Sequence, residues 1–248
     1  MPEALANARY QLALANRIVA HEGVLDGFGH ISIRHPADPG RYLLARSRSP
    51  ELIEPADILE FSLDSRLLTP TDQLPYGECV IHGCIYQARP DVNAVCHHHS
   101  MAILPFCVTG AALQPLMGLG ATMGATVPFW DSRDEFGDTP MVVTTQAQGQ
   151  SLARALGRHA MVLMRRHGAT VVGATLQEAV FRTIFSHRSA ELQLRAAALG
   201  AVAPLTRGEA ELAEAYSLRP RPMERAWEYW TTRLGKAGEL PPQSLSRP

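Results

Sequence analysis

Histidine carries most of the chemical information in this chain. Three of its ten histidines are consecutive, in Cys96-His97-His98-His99-Ser100. Side chains alternate between the two faces of a β-strand, so His97 and His99 would share one face and His98 would take the other. Two imidazoles spaced in that way can reach one metal ion without backbone strain. The third ligand is expected from His167, in Met164-Arg165-Arg166-His167-Gly168, where glycine lets the chain bend between two strands. Three neutral imidazoles leave a coordination position open, as in a catalytic rather than a closed structural site. Any one of them also fits a hydrogen-bonded core histidine, and His98 is read as packing behind the ligands.

Such a site needs a proton carrier. Glu78 follows Pro75-Tyr76-Gly77 at the predicted start of the helix that precedes the histidine strand. A carboxylate there gains from the helix dipole, and in a cleft beside a dication it can still exchange protons. An ordinary helix cap fits the same position equally well. His82, one turn further on, reads as a satisfied helix histidine.

The elements that position these residues follow from periodicity and punctuation. Residues 2–24 read as an amphipathic helix ended by Gly23, and short strands are expected at Ile31–Ile33, Tyr42–Leu44 and Ile58–Phe61. A helix over Cys79–Ala88 leads into a buried strand, Ala94–His99, followed by a helix near Met101–Cys107. Further strand pieces are expected around Thr126–Phe129 and Met141–Thr144, a helix over Gln146–Gly157, and strands at Met161–Met164 and Thr170–Val172. A long helix over Thr175–Leu199 would begin with Thr175 as N-cap and Glu178 completing a capping box. Helices and strands alternate throughout, which implies an α/β class, a three-layer α/β/α domain over residues 1–219. Residues 220–248 are Pro-rich at both ends and hold Trp227, Tyr229 and Trp230. They read as a C-terminal arm outside the first core that contacts a neighbouring subunit.

Composition sets the outer limits. The 248 residues are 46% hydrophobic and 19% charged, with 23 Lys plus Arg against 24 Asp plus Glu. No basic surplus is available for phosphate neutralisation, so nucleic acid is not an expected partner. No apolar run has the length of a spanning helix, and the first ten residues lack the pattern of a signal peptide, so no membrane role and a cytoplasmic location are expected. Cys79, Cys84, Cys96 and Cys107 have neither redox nor zinc-ribbon spacing and read as buried free thiols.

The run Glu78-x3-His82-x2-Ile85-Tyr86-x2-Arg89-Pro90-Asp91-Val92-x-Ala94-Val95-x-His97-x-His99-Ser100 resembles the signature of the class II aldolase/adducin family. So do His167-Gly168-x4-Gly173-x2-Leu176-x-Glu178-Ala179 and Gly29-His30-Ile31-Ser32-Ile33-Arg34. By that resemblance His97, His99 and His167 match metal-binding histidines and Glu78 matches the catalytic acid/base. One divalent ion per subunit is implied: Zn2+ or Mn2+, with Fe2+ also suited to imidazole. A nine-stranded, largely antiparallel sheet between helical layers is implied as well, with a homotetramer whose active sites lie at subunit contacts.

The departures narrow the substrate. Sugar-phosphate aldolases of the family have Gly-Asn where this chain has Gly29-His30, and Ser-Ser where it has Tyr76-Gly77. The phosphate clamp is thereby largely dismantled. The Gly27-x-Gly29-His30-Ile31-Ser32-x-Arg34-His35-Pro36 stretch, with Arg46-Ser47-Arg48-Ser49-Pro50 after it, is instead similar to the branch that decarboxylates hydroxylated aromatic acids such as 3,4-dihydroxyphthalate or a hydroxypyridine dicarboxylate. The resemblance implies a metal-chelated, enolate-like intermediate, after which Glu78 or His30 protonates the ring carbon. His30 also fits a loop histidine bonded to backbone. Arg48, with Ser49 beside it, is the candidate for a second carboxylate, Tyr76 for a further substrate contact, and the C-terminal aromatics for capping a flat ligand. A class II aldolase acting on a non-phosphorylated hydroxy-keto acid is the alternative enzyme, a sugar-phosphate aldolase ranks behind it, and an adducin-like scaffold is the non-enzymatic alternative.

Overall fold

The structure, a computed structural model, describes residues 2–243. In chain order its helices and strands are α1 (Pro2–His21), β1 (His30–Arg34), β2 (Arg41–Ala45), β3 (Ile58–Ser62), α2 (Cys79–Ala88), β4 (Ala94–His98), α3 (Leu104–Thr109) and β5 (Phe129–Trp130). There follow α4 (Arg133–Phe136), α5 (Gln146–Leu156), β6 (Met161–Met164), β7 (Gly168–Gly173), α6 (Leu176–Ala197), α7 (Arg207–Ser217) and α8 (Pro220–Lys236). The strands form one sheet in the order β3-β2-β1-β4-β7-β6-β5. Every pairing is antiparallel except β5 with β6.

Strand alternation divides the core into two layers. Ile31, Leu43, Ala45, Ala94 and Cys96 face α1, α6 and α8, packing with Leu12, Ile18, Phe181 and Ile184. Tyr42, Leu44, Phe61, Val95 and Val172 face the other way, against Ile81 and Ile85 of α2 and Leu152 and Leu156 of α5. This is the expected three-layer α/β/α arrangement with a mainly antiparallel sheet. His97 lies on the Val95 face, and the N-terminus of α2 brings Glu78 to that same face.

The described sheet has seven strands rather than nine. The piece expected near Thr126–Phe129 shortens to Phe129–Trp130, and Met141–Thr144 forms no strand. Met141 stands at φ 64°, a left-handed conformation that interrupts extended backbone. The Val143 amide, which a ladder would have used, donates to Glu78 Oε1 at 2.9 Å. At α6 the Thr175 hydroxyl accepts from the Glu178 amide at 3.1 Å, but the reciprocal half of the capping box is missing. The Glu178 carboxylate is taken by Arg182 Nε at 2.9 Å.

The C-terminal expectation also changes. Helix α8 belongs to the first core: Trp230 is 2% exposed and packs 5.9 Å from Phe181 and 6.1 Å from Phe185, ring to ring. Trp230 is therefore unavailable to cap a ligand elsewhere, while Tyr229 is exposed and lies under Arg233. An amphipathic helix beginning with Pro220 and Pro222 has an apolar stripe to bury, and α1 and α6 supply the surface. Residues 244–248 of the expected arm lie outside the described residues. All four cysteines are free, three of them buried and Cys79 half-buried. Among the described residues no helix is long and apolar enough to cross a membrane.

Candidate active site

His97 is fully buried at the end of β4, paired in register with His30 of β1 on one side and Thr170 of β7 on the other. Its Nδ1 lies 3.3 Å from Thr170 Oγ1, whose hydroxyl proton is directed to Met164 Sδ. Thr170 therefore accepts the His97 Nδ1 proton, which leaves a lone pair on Nε2. That Nε2 is 3.0 Å from His99 Nε2 and 3.5 Å from Glu78 Oε2. His167 approaches from the β6–β7 turn with Nε2 3.5 Å from Glu78 Oε1, its ring stacked on His99 at 4.9 Å. His98 points to the opposite face, buried, with its Nδ1 accepting from the Ser100 amide at 3.3 Å.

Two glycines hold this geometry. At Gly168 a Cβ would lie 2.2 Å from the His98 carbonyl oxygen and 3.1 Å from His99 Cδ2, so only glycine lets the turn carrying His167 sit against β4. Gly29, at φ 89°, brings the loop before β1 over β4, where a Cβ would meet Leu25 at 2.5 Å and the His97 carbonyl at 3.0 Å.

One ligand atom from each of Glu78, His97, His99 and His167 falls within 4.8 Å of all the others. Donors that share an ion at about 2.0–2.2 Å sit roughly 3–3.5 Å apart, so the close spacings suit a divalent metal. Burial, and then mutual repulsion among the rings, pushes the His97 pKa well below its ordinary value and lowers that of His99. Both rings are thus neutral near pH 7, the form in which imidazole ligates. The donor set fits a metal ion.

Glu78 makes no side-chain cap to α2 and turns towards the histidines instead. Burial alone would raise its pKa. The hydrogen bond and charge of His167, the charge of His30 and the Val143 amide more than offset that, so the pKa is lowered and the group is ionised. His30 is held differently from the loop histidine considered above. Its Nδ1 is 2.6 Å from His82 Nε2, and its Nε2 is 4.0 Å from Glu78 Oε2. His82 Nδ1 is in turn 2.6 Å from Ser32 Oγ, so His82 is a satisfied helix histidine. Burial, only partly offset by Glu78, lowers the His30 pKa to about 4. At neutral pH that value favours the neutral ring, which leaves Glu78 as the charged group of the pair.

Beside the four donors lies a cavity of about 640 Å³ that Arg48, Ser49 and Tyr76 all line. Tyr76 hydrogen-bonds the Arg48 carbonyl through its hydroxyl, and its ring stands 4.6 Å from His30. Arg48 is not a free cation: its Nη1 is 2.5 Å from Asp57 Oδ2 and 3.6 Å from Glu54. Asp57 is fully buried and also binds Arg46 Nε at 2.7 Å. Three further lining residues had no signal in the spacing: Phe28, 72% exposed between two glycines; Met141; and Arg166. Among the described residues Met141 and Arg166 are two of the three non-glycine residues at positive φ, each costing about 1–2 kcal/mol of backbone strain.

The chain belongs to the family described as Class II Aldolase and Adducin N-terminal domain, which it matches over residues 10–194. It is 29% identical to the decarboxylase tropJ of Talaromyces stipitatus over 243 residues, 89% of this chain and 91% of that one. It is 31% identical to a 3,4-dihydroxyphthalate decarboxylase of a Terrabacter species, over 93% of this chain and 98% of the relative. Its fold is similar to that of L-fuculose 1-phosphate aldolase from Glaciozyma antarctica, with a TM-score of 0.79 at 21% identity, covering 96% of this chain and 92% of that chain.

Proposed function

We propose that this protein is a metal-dependent decarboxylase of a hydroxylated aromatic dicarboxylate, of which 3,4-dihydroxyphthalate is the representative. The family and the decarboxylases among its relatives support a carbon–carbon lyase, specifically a carboxy-lyase. The observation that carries the finer reading is an ionised Glu78 among three imidazoles at the wall of a cavity that also presents Tyr76 and Phe28. Tyr76-Gly77 stand where a phosphate clamp would need hydroxyl donors.

A divalent ion held by His97, His99 and His167, Zn2+ or Mn2+ by the donor chemistry, would act as a Lewis acid on the substrate's adjacent hydroxyl and carboxylate oxygens. Glu78 does the proton work. As a carboxylate it accepts the ring hydroxyl's proton at Oε2 and returns it to the ring carbon that carries the departing carboxylate. The C–C bond then breaks, CO₂ leaves with its electrons remaining on the ring, and the phenolate takes one proton from water. Its ionised state at neutral pH leaves it free to accept a proton in the first step, and proximity to the protonated carbon serves the second. His30 holds the cavity wall and faces Glu78 with a neutral ring. The substrate is a free aromatic acid, and the working form a cytoplasmic homo-oligomer, a tetramer by family likeness.

The test is CO₂ release from ortho-hydroxy aromatic mono- and dicarboxylates by protein loaded with Zn2+ or Mn2+. Release from 3,4-dihydroxyphthalate is expected, abolished by a chelator and lowered at least ~10²-fold in Glu78→Gln at unchanged metal content. Cleavage of a hydroxy-keto acid with no CO₂ from any aromatic acid would establish the aldolase instead.

A further inference from the structure

The cavity beside the histidine cluster is lined by two guanidinium groups, and they are not equivalent. Arg48 already faces the carboxylates of Asp57 and Glu54, so a ligand carboxylate must compete with a buried anion for it. Arg166 is exposed on the turn directly before His167, and its guanidinium has no hydrogen-bond or ion-pair partner among the described residues. Its backbone amide donates to the Cys107 carbonyl at 2.9 Å. The preceding Arg165, by contrast, is paired with Asp131 at 3.2 Å.

The backbone points the same way. Arg166 stands at φ 52°, where glycine would be relaxed and an arginine is strained. Met141, at φ 64°, lines the same cavity. Strain held at two positions around one cavity is what a functional side chain leaves behind when the fold favours glycine under it.

We infer that Arg166, rather than Arg48, binds the carboxylate that remains on the aromatic ring and so selects dicarboxylates over monocarboxylates. This rests on the decarboxylase reading for its substrate. The planar guanidinium makes a two-pronged contact with a carboxylate, and its position next to His167 places that contact beside the cluster where the departing carboxylate and the hydroxyl would lie.

The experiment has a binding arm and a kinetic arm, both on full-length protein with matched metal content. In calorimetry, phthalate is expected to bind wild type at least ~10-fold more tightly than benzoate, the usual worth of a charged hydrogen-bonded contact, and Arg166→Gln should erase that preference. In kinetics, Arg166→Gln should raise KM for 3,4-dihydroxyphthalate by about 10- to 100-fold with kcat nearly kept, and change KM for 2,3-dihydroxybenzoate less than about twofold. Arg166→Lys should recover part of the affinity. Arg166→Gly relieves the turn, so its melting temperature should rise while its phthalate preference disappears, a combination that a merely structural arginine would not give. It is also the variant to read if Arg166→Gln fails to fold. Retention of the phthalate preference in Arg166→Gln or Arg166→Gly, or its absence in wild type, overturns the assignment. Loss of the preference in the variants, with no CO₂ release by wild type, upholds Arg166 and removes the decarboxylase reading instead.

Discussion

Replacing Gly168 by alanine probes the whole construction of the site with one methyl group. The added carbon would lie 2.2 Å from the His98 carbonyl oxygen, a backbone atom fixed by the β4–β7 ladder, and 3.1 Å from the His99 ring. An ordinary contact requires roughly 3.2–3.5 Å, so the turn must move out by about 1 Å. Overpacking of this kind costs about 1–3 kcal/mol, which in a chain of this size lowers the melting temperature by roughly 2–12 °C. The functional consequence is larger, because Gly168 is adjacent to His167 and its contact is with the backbone that carries His99. A displacement near 1 Å separates two of the four donors and should reduce turnover by about 10²-fold. Metal content by plasma spectrometry, a melting curve with and without added zinc, and CO₂ release measure the three effects separately. A Gly168→Ala protein with wild-type melting and full metal occupancy would refute the argument that close approach at this glycine sets the His167 position.

Three further outcomes follow from individual contacts. Thr170→Val removes the acceptor that fixes the His97 tautomer and should weaken metal affinity about 10- to 100-fold with the fold intact, read by zinc titration against a chelating indicator. Trp230→Ala should cost about 3–5 kcal/mol in urea unfolding, whereas Tyr229→Ala should fall within about 0.5 kcal/mol; equal small effects would return α8 to the status of a detachable arm. Burial acts to raise the Asp57 pKa, but hydrogen bonds from Arg46, the Glu54 amide and Arg48 lower it below the ordinary 3.8. A depressed carboxylate stabilises the fold above its unfolded pKa and loses that contribution as pH falls through the folded value. The stability gap between wild type and Asp57→Asn should therefore be flat near neutrality and narrow only below about pH 4, and a gap that closes between pH 5 and 7 would contradict the assignment.

What was legible in the chain, and what was not, divides by range. Strand alternation was enough to put His97 and His99 on one side and His98 on the other, because a period of two is a local property. The helix over Cys79–Ala88 was legible for the same reason, and with it the placement of Glu78 at its start. Whether Glu78 capped that helix or turned away depended on Val143, 65 residues on, whose amide supplies the hydrogen bond. That Arg48 is already paired depended on Asp57, which no spacing rule connects with it, so the chain alone could not tell a paired arginine of the cavity from one without a side-chain partner among the described residues. Arg166 was hidden by its own chemistry: turns at positive φ are recognised by glycine or asparagine, and an arginine there looks like an ordinary strand end. The residues that local rules leave open are thus the ones whose long-range partners, or lack of them among the described residues, set which charges face the cavity. A site can be located from its ligands, but its specificity is written in which of its charges the fold has already neutralised.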